Sequence, residues 1–142
     1  MSDPSRRQFL RSGGLIGLIG LAGCTSVPFV GTLGFRLRNY TDEAYEARIE
    51  IRVTGRSDFE KTYDLPSASG ADPYVHTEST AISNVPKGMS YTVSLFLDGT
   101  EVETLTATMD CVGRDKQQIE EEIDINIGFG GNDTVKMADS QC

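Results

Sequence analysis

From position 45 to 54 the chain alternates without a break. Tyr45, Ala47, Ile49, Ile51 and Val53 occupy the odd positions, and Glu46, Arg48, Glu50, Arg52 and Thr54 the even ones. A period of two puts the apolar side chains on one face of an extended strand and the charged ones on the other, whereas a helix would scatter both sets around its axis. A sheet that is dry on one side needs a second layer to bury it. This stretch therefore commits the chain to layered β structure.

The same period recurs more weakly along the rest. Leu33, Phe35 and Leu37 share a face opposite Gly34, Arg36 and Arg38. Phe59, Lys61, Tyr63 and Leu65 follow a Gly55-to-Asp58 turn in a strand expected near an edge, where Lys61 on the inner side fits a strand end or an edge guard. Residues 77–85 form a further strand with poor alternation, between a Pro/Ser/Gly-rich loop at 66–73 and a Pro86-Lys87-Gly88 turn. Tyr91, Val93, Leu95 and Leu97 lead into Asp98-Gly99, a strong hairpin signal. The return strand has Val102 out of phase with Leu105, Ala107 and Met109, which predicts a bulge. Ile119, Ile123, Ile125 and Ile127 flank Glu121 in another strand, and Val135 and Met137 mark a last one after a turn at 128–133. Seven or eight short strands with regular turns and no helical periodicity predict an all-β antiparallel sandwich. The stretch from Gly88 to Leu95 running into Asp98-Gly99 resembles the late hairpin of immunoglobulin-like and fibronectin-III-like domains. The resemblance is to a layout used for many functions and carries no activity.

The first 24 residues read as an address. Ser5-Arg6-Arg7-Gln8-Phe9-Leu10-Arg11 precedes a glycine-rich apolar run at 13–23. That run is 11 residues long, against the ~20 that a spanning helix needs. A charged start and a short apolar run fit an export signal. The segment resembles the twin-arginine consensus of prokaryotes at Ser5, Arg6, Arg7, Phe9 and Leu10, with Arg11 where that consensus usually has lysine. Leu21-Ala22-Gly23-Cys24 resembles a lipobox, whose cysteine takes a diacylglyceryl group and becomes the new N-terminus. The two motifs in order imply export by the twin-arginine machinery and a lipid on Cys24 that holds the chain at the extracytoplasmic face of the cell membrane. They divide the sequence into a signal peptide (1–23), a lipidated tether (24–32) and a sandwich domain (33–142).

The precursor carries 13 basic and 21 acidic residues, and once Asp3, Arg6, Arg7 and Arg11 leave with the leader, 10 basic residues face 20 acidic ones. Such a surface excludes nucleic acid as a partner. It also suits high salt, since at ~1 M the Debye length is ~3 Å and repulsion between surface carboxylates is screened. A twin-arginine lipoprotein with an acidic mature domain resembles the surface lipoproteins of halophilic archaea. Cys111 and Cys142 form an even pair in an exported chain, which predicts a disulfide.

No motif for chemistry stands out. A blue-copper site needs two histidines and a cysteine, and the chain has the single histidine His76. His76, read as a loop residue, has Ser79 and Thr80 near it in sequence but no nucleophile elbow. Glu120, Glu122 and Asp124 share one strand face, a solvated acidic stripe rather than a calcium site. Asn39-Tyr40-Thr41 and Asn132-Asp133-Thr134 are candidate N-glycosylation acceptors. The residues thus lead to a non-catalytic binding, adaptor or envelope-structural module with no cofactor and an unidentified surface partner. The competing readings are a small metal carrier or enzyme built on loops around His76 and Asp72, and an accessory subunit of a membrane complex.

Overall fold

A computed structural model describes residues 29–54, 56–112, 120–131 and 134–140 of the chain. Eight strands follow one another: β1 (Val30–Asn39), β2 (Tyr45–Val53), β3 (Arg56–Leu65), β4 (Tyr74–Pro86), β5 (Ser90–Leu97), β6 (Thr100–Thr108), β7 (Glu120–Ile127) and β8 (Val135–Asp139). They form two four-stranded sheets, in the orders β4-β1-β7-β8 and β3-β2-β5-β6. Five of the six pairings are antiparallel, and only β1 with β7 is parallel. The fold is an all-β sandwich.

The alternation that opens the sequence reading builds its centre. Ala47, Ile49 and Ile51 of β2 are completely buried, as are Leu33, Phe35 and Leu37 of β1, Val93 and Leu95 of β5, and Ile123 and Ile125 of β7. Each buried aliphatic side chain contributes ~1.5–3 kcal/mol of transfer free energy. The outer faces carry charge. Glu50 lies on the outer side of β2 yet is nearly covered, because Arg52 bonds its carboxylate at 2.7 Å and Arg48 lies 3.9 Å away.

Two turns follow the expected chemistry. Leu97 pairs with Thr100 across a two-residue turn in which Asp98 (φ 48°) and Gly99 (φ 84°) are both left-handed, the geometry that matches strand twist in a hairpin. In β6, Glu103 faces Leu95 and Glu101 faces Phe96, so Val102 is the extra residue of a bulge.

Strands β1 to β6 have the neighbour relations of strands B, C, C′, E, F and G in an immunoglobulin variable sandwich. The departure is beside β1, where β7 runs parallel to it from Thr32↔Glu120 to Asn39↔Ile127.

Three expectations need correction. The last three positions of the expected tether are already domain: Val30 begins β1, and Thr32 is buried. The strand expected at 77–85 extends over Tyr74–Pro86, so His76 sits in β4, paired with Leu37, and not in a loop. Its alternation was obscured because β4 is an edge strand whose pairing with β1 slips twice, between Gly31 and Leu33 and between Leu33 and Phe35. The leader with Arg6, Arg7, Phe9 and Leu10, the lipobox Leu21, Ala22, Gly23 and Cys24, and Ile119, Asn132 and Cys142 lie outside the described residues.

The register separates the two ends of the sandwich. The start of β1, the Lys87-Gly88 turn and the end of β6 lie together at one end, joined by Lys87 N–H to Phe29 C=O and Gly88 N–H to Met109 C=O. The connections 40–44, 66–73, 98–99 and the turn that opens at Gly128 lie at the other.

Candidate functional site

Asn39 ends β1 and organises the far end. Its side chain is fully buried. Oδ1 accepts bonds from Thr41 N–H (3.0 Å) and Thr41 Oγ1 (2.7 Å), and this turns the chain out of the strand. Nδ2 donates to Glu43 C=O (2.8 Å) and Pro66 C=O (3.0 Å), tying the 40–44 and 66–73 loops together. Ala68 N–H adds a bond to Thr41 C=O at 2.7 Å. Across the other sheet edge, Tyr40 N–H reaches Ile127 C=O and Gly128 N–H reaches Thr134 C=O, both at 2.9 Å. The Asp98 hairpin is fixed to β2 by two bonds with Glu46, one of them from Glu46 N–H to Asp98 Oδ1 at 2.9 Å.

On this clamped base stands an aromatic pair. Phe129 occupies a tight turn that Gly128 and Gly130 make possible with φ of 74° and 87°. Its ring is 51% exposed and meets Tyr40 edge-on at 5.2 Å. The connections at this end hold Asp42, Glu43, Asp72 and Asp98, and segments 40–44, 66–73, 98–99 and 128–131 contain no Lys, Arg or His. Tyr45 Oη donates to Glu43 at 3.2 Å beside a shallow dip lined by Ala44, Tyr45, Asp64, Leu65 and Pro66. Sequence reading missed this surface, since neither Phe129 nor Tyr40 follows a strand period. The available signal was an aromatic residue set among three glycines in a turn.

The glycosylation acceptor expected at Asn39 is corrected by the same geometry. A glycan attaches to Nδ2, and here that nitrogen is buried with two backbone carbonyls as partners.

His76 is placed away from the tip chemistry. Its ring packs on Tyr63 at 4.3 Å, and among the described residues its buried Nε2 has no hydrogen-bond partner. Ser79 lies three residues along the strand, roughly 10 Å away, so the two do not form a nucleophile–base pair. Nearby, Tyr63 Oη donates to Glu78 at 3.0 Å, and Lys61 lies 3.4 Å from the same carboxylate. Burial, then the bond to Glu78 and its charge, push the Tyr63 phenol well above its ordinary value. The expected edge role of Lys61 holds: β3 is the sheet edge, and Lys61 bridges to the edge of the facing sheet.

At the opposite end Glu121 points inward and is completely buried. It accepts bonds from Tyr91 Oη, from Asp110 N–H (2.8 Å) and from Cys111 N–H (3.2 Å). Burial, then Glu121, raise the Tyr91 phenol strongly. This carboxylate pins the start of the β6–β7 connection to β5. Cys111 is buried beside it, with Sγ 3.9 Å from Ser140 C=O. Two acids of the β7 stripe are paired: Glu122 meets Arg36 at 3.0 Å and Asp124 meets Arg38 at 2.7 Å. Among the described residues no group of three or more His, Cys, Asp and Glu gathers in a way that could hold a metal ion. Neither a scan against protein-family models nor a search among curated proteins gives a match for this chain.

Proposed function

We propose that the chain is a lipid-anchored, extracytoplasmic binding or adaptor module of immunoglobulin-like layout, which presents its far-end loops to a partner. One observation carries the reading: the polypeptide enters the sandwich at Phe29, and the aromatic, clamped loops lie at the opposite end. Cys24 precedes Phe29 by only five residues, a reach of at most ~18 Å. A lipid on Cys24 therefore sets the Phe29 end against the membrane and turns Phe129 and Tyr40 outward. The leader resemblance, with twin-arginine export before cleavage at Cys24, supplies the anchor. A Cys111–Cys142 disulfide belongs to the same reading, supported by the placement of Cys111 beside Ser140, two residues before Cys142. Binding without catalysis is favoured because Arg36, Arg38, Arg52 and Lys61 on the sheet faces are engaged in ion pairs that hold the fold.

The test is photocrosslinking in intact cells from a reactive residue placed at Phe129 or, for comparison, at Lys87. The proposal expects discrete crosslinks from position 129 to a surface component and lipid or no adducts from position 87. Crosslinks confined to position 87 would refute it.

A further inference from the structure

Resting on the lipid anchor proposed above, we infer that the domain has a second membrane contact of its own: Phe29 enters the lipid interface, with Lys87 beside it at headgroup depth. Between Cys24 and Arg36 the sequence holds no charged residue. Phe29 lies within that stretch, just beyond the outermost pair of β1 with β4, Val30↔Pro86. Its backbone is fixed there by the bond from Lys87 N–H to its carbonyl at 2.8 Å, yet the residue is left 44% exposed. An aromatic residue held open to its surroundings within ~18 Å of an acylated cysteine is in reach of the boundary between headgroups and acyl chains, where such rings are stabilised.

The charges at the two ends agree with this. In the described connections at the Phe29 end, residues 54, 87–89 and 109–112, the charged residues are Lys87 and Asp110. Of the strand carboxylates toward this end, Glu121 is buried, Asp58 accepts a bond from Val53 N–H at 3.1 Å, and Asp139 is half-buried. The connections at the other end hold Asp42, Glu43, Asp72 and Asp98 and no basic residue. Lipid phosphates repel carboxylates and attract an ammonium, so the Phe29 end meets the least resistance at an anionic bilayer surface. Lys87 is exposed, and a lysine stem lies along apolar surface while its ammonium stays among the phosphates. One ring would not hold a free domain on a bilayer. Here the lipid on Cys24 has already brought the domain to the surface, so the ring acts at high effective concentration. Docking through Phe29 turns a tether that lets the domain swing into a fixed stance, with the Phe129 end away from the bilayer.

The chain has no tryptophan, so a single one introduced by substitution reports its own surroundings. Phe29→Trp and Phe129→Trp, each purified with its native lipid, would be reconstituted into vesicles of phosphatidylcholine and phosphatidylglycerol. Emission would be compared with and without phosphatidylcholine brominated near the carbonyl end of its acyl chains. The expected result is a loss of about half the emission or more at position 29, and of about a tenth or less at position 129. In Lys87→Trp, quenching should fall about 2-fold or more when Phe29→Ser is added, because the ring and not the tether alone holds this end down. Both substitutions at position 29 fall on an exposed residue and leave the core intact. Equal quenching at positions 29 and 129, or quenching at position 87 that ignores Phe29→Ser, would overturn the inference and leave the anchor standing. An intact mass without an acyl group on Cys24 in the same preparations would instead remove the anchor, and the inference with it.

Discussion

Tyr91 and Tyr63 bury phenols against carboxylates, and this makes the fold sensitive to alkali. Both phenols hold their protons to higher pH in the folded chain than in the unfolded one. The stabilisation they give is fully present below the unfolded value of ~10 and declines above it, because the unfolded chain then releases protons that the folded chain keeps. Each tyrosine should contribute a slope of about −1.4 kcal/mol per pH unit above pH ~10. Denaturant unfolding at pH 9–11.5 should show a shallower decline for Tyr91→Phe than for the parent; identical slopes would contradict the burial argument. Asn39 makes a second prediction. Asn39→Ala strands two backbone carbonyls and should cost about 1–3 kcal/mol. It should also raise amide exchange in 40–44 and 66–68, while β5 and β6 keep their protection. Neither residue's role was legible in the sequence. Asn39 looked like a surface acceptor because a buried hydrogen-bonding asparagine and an exposed one read alike, and Tyr91 looked like any apolar member of its strand.

Strands were legible in proportion to how much of one face they bury. β2 and β5 are interior strands of their sheet and alternate cleanly, so their identity and the Asp98-Gly99 turn were readable. Even the β6 bulge showed as a break in phase at Val102. β4 was only partly readable because half of its pairing edge is open and its register slips beside Gly34. That slip has a steric basis. A methyl group at Gly34 would lie 2.7 Å from the carbonyl oxygens of both Glu78 and Ser79. Gly34→Ala should therefore push β4 off β1 and destabilise by about 1–3 kcal/mol, whereas Gly99→Ala acts only through its left-handed φ and should cost about 1 kcal/mol. Urea unfolding of the two variants would show that order, and a reversed order would refute the close approach of β4. The parallel pairing of β7 with β1 was not legible at all, since a strand's own residues do not say which neighbour it takes or in which direction.

At the scale of the whole molecule, the proposed arrangement puts a lipid at one end of an acidic sandwich and a binding surface at the other. The excess of acidic residues could be read from composition, but its distribution could not, because pairs such as Arg38–Asp124 are 86 residues apart in sequence. The Cys111–Cys142 bridge should close a loop of about 32 residues and stabilise by roughly 3–4 kcal/mol; reduction under native salt should lower the unfolding midpoint, and an unchanged midpoint would argue against the bridge. The two-ended arrangement depends above all on where the mature chain begins. Intact-mass spectrometry of the protein purified from native cells measures that directly. Lipid anchoring predicts a polypeptide starting at Cys24 and carrying the added mass of a diacylglyceryl group. A soluble species with the full precursor mass, from Met1 onward, would contradict it.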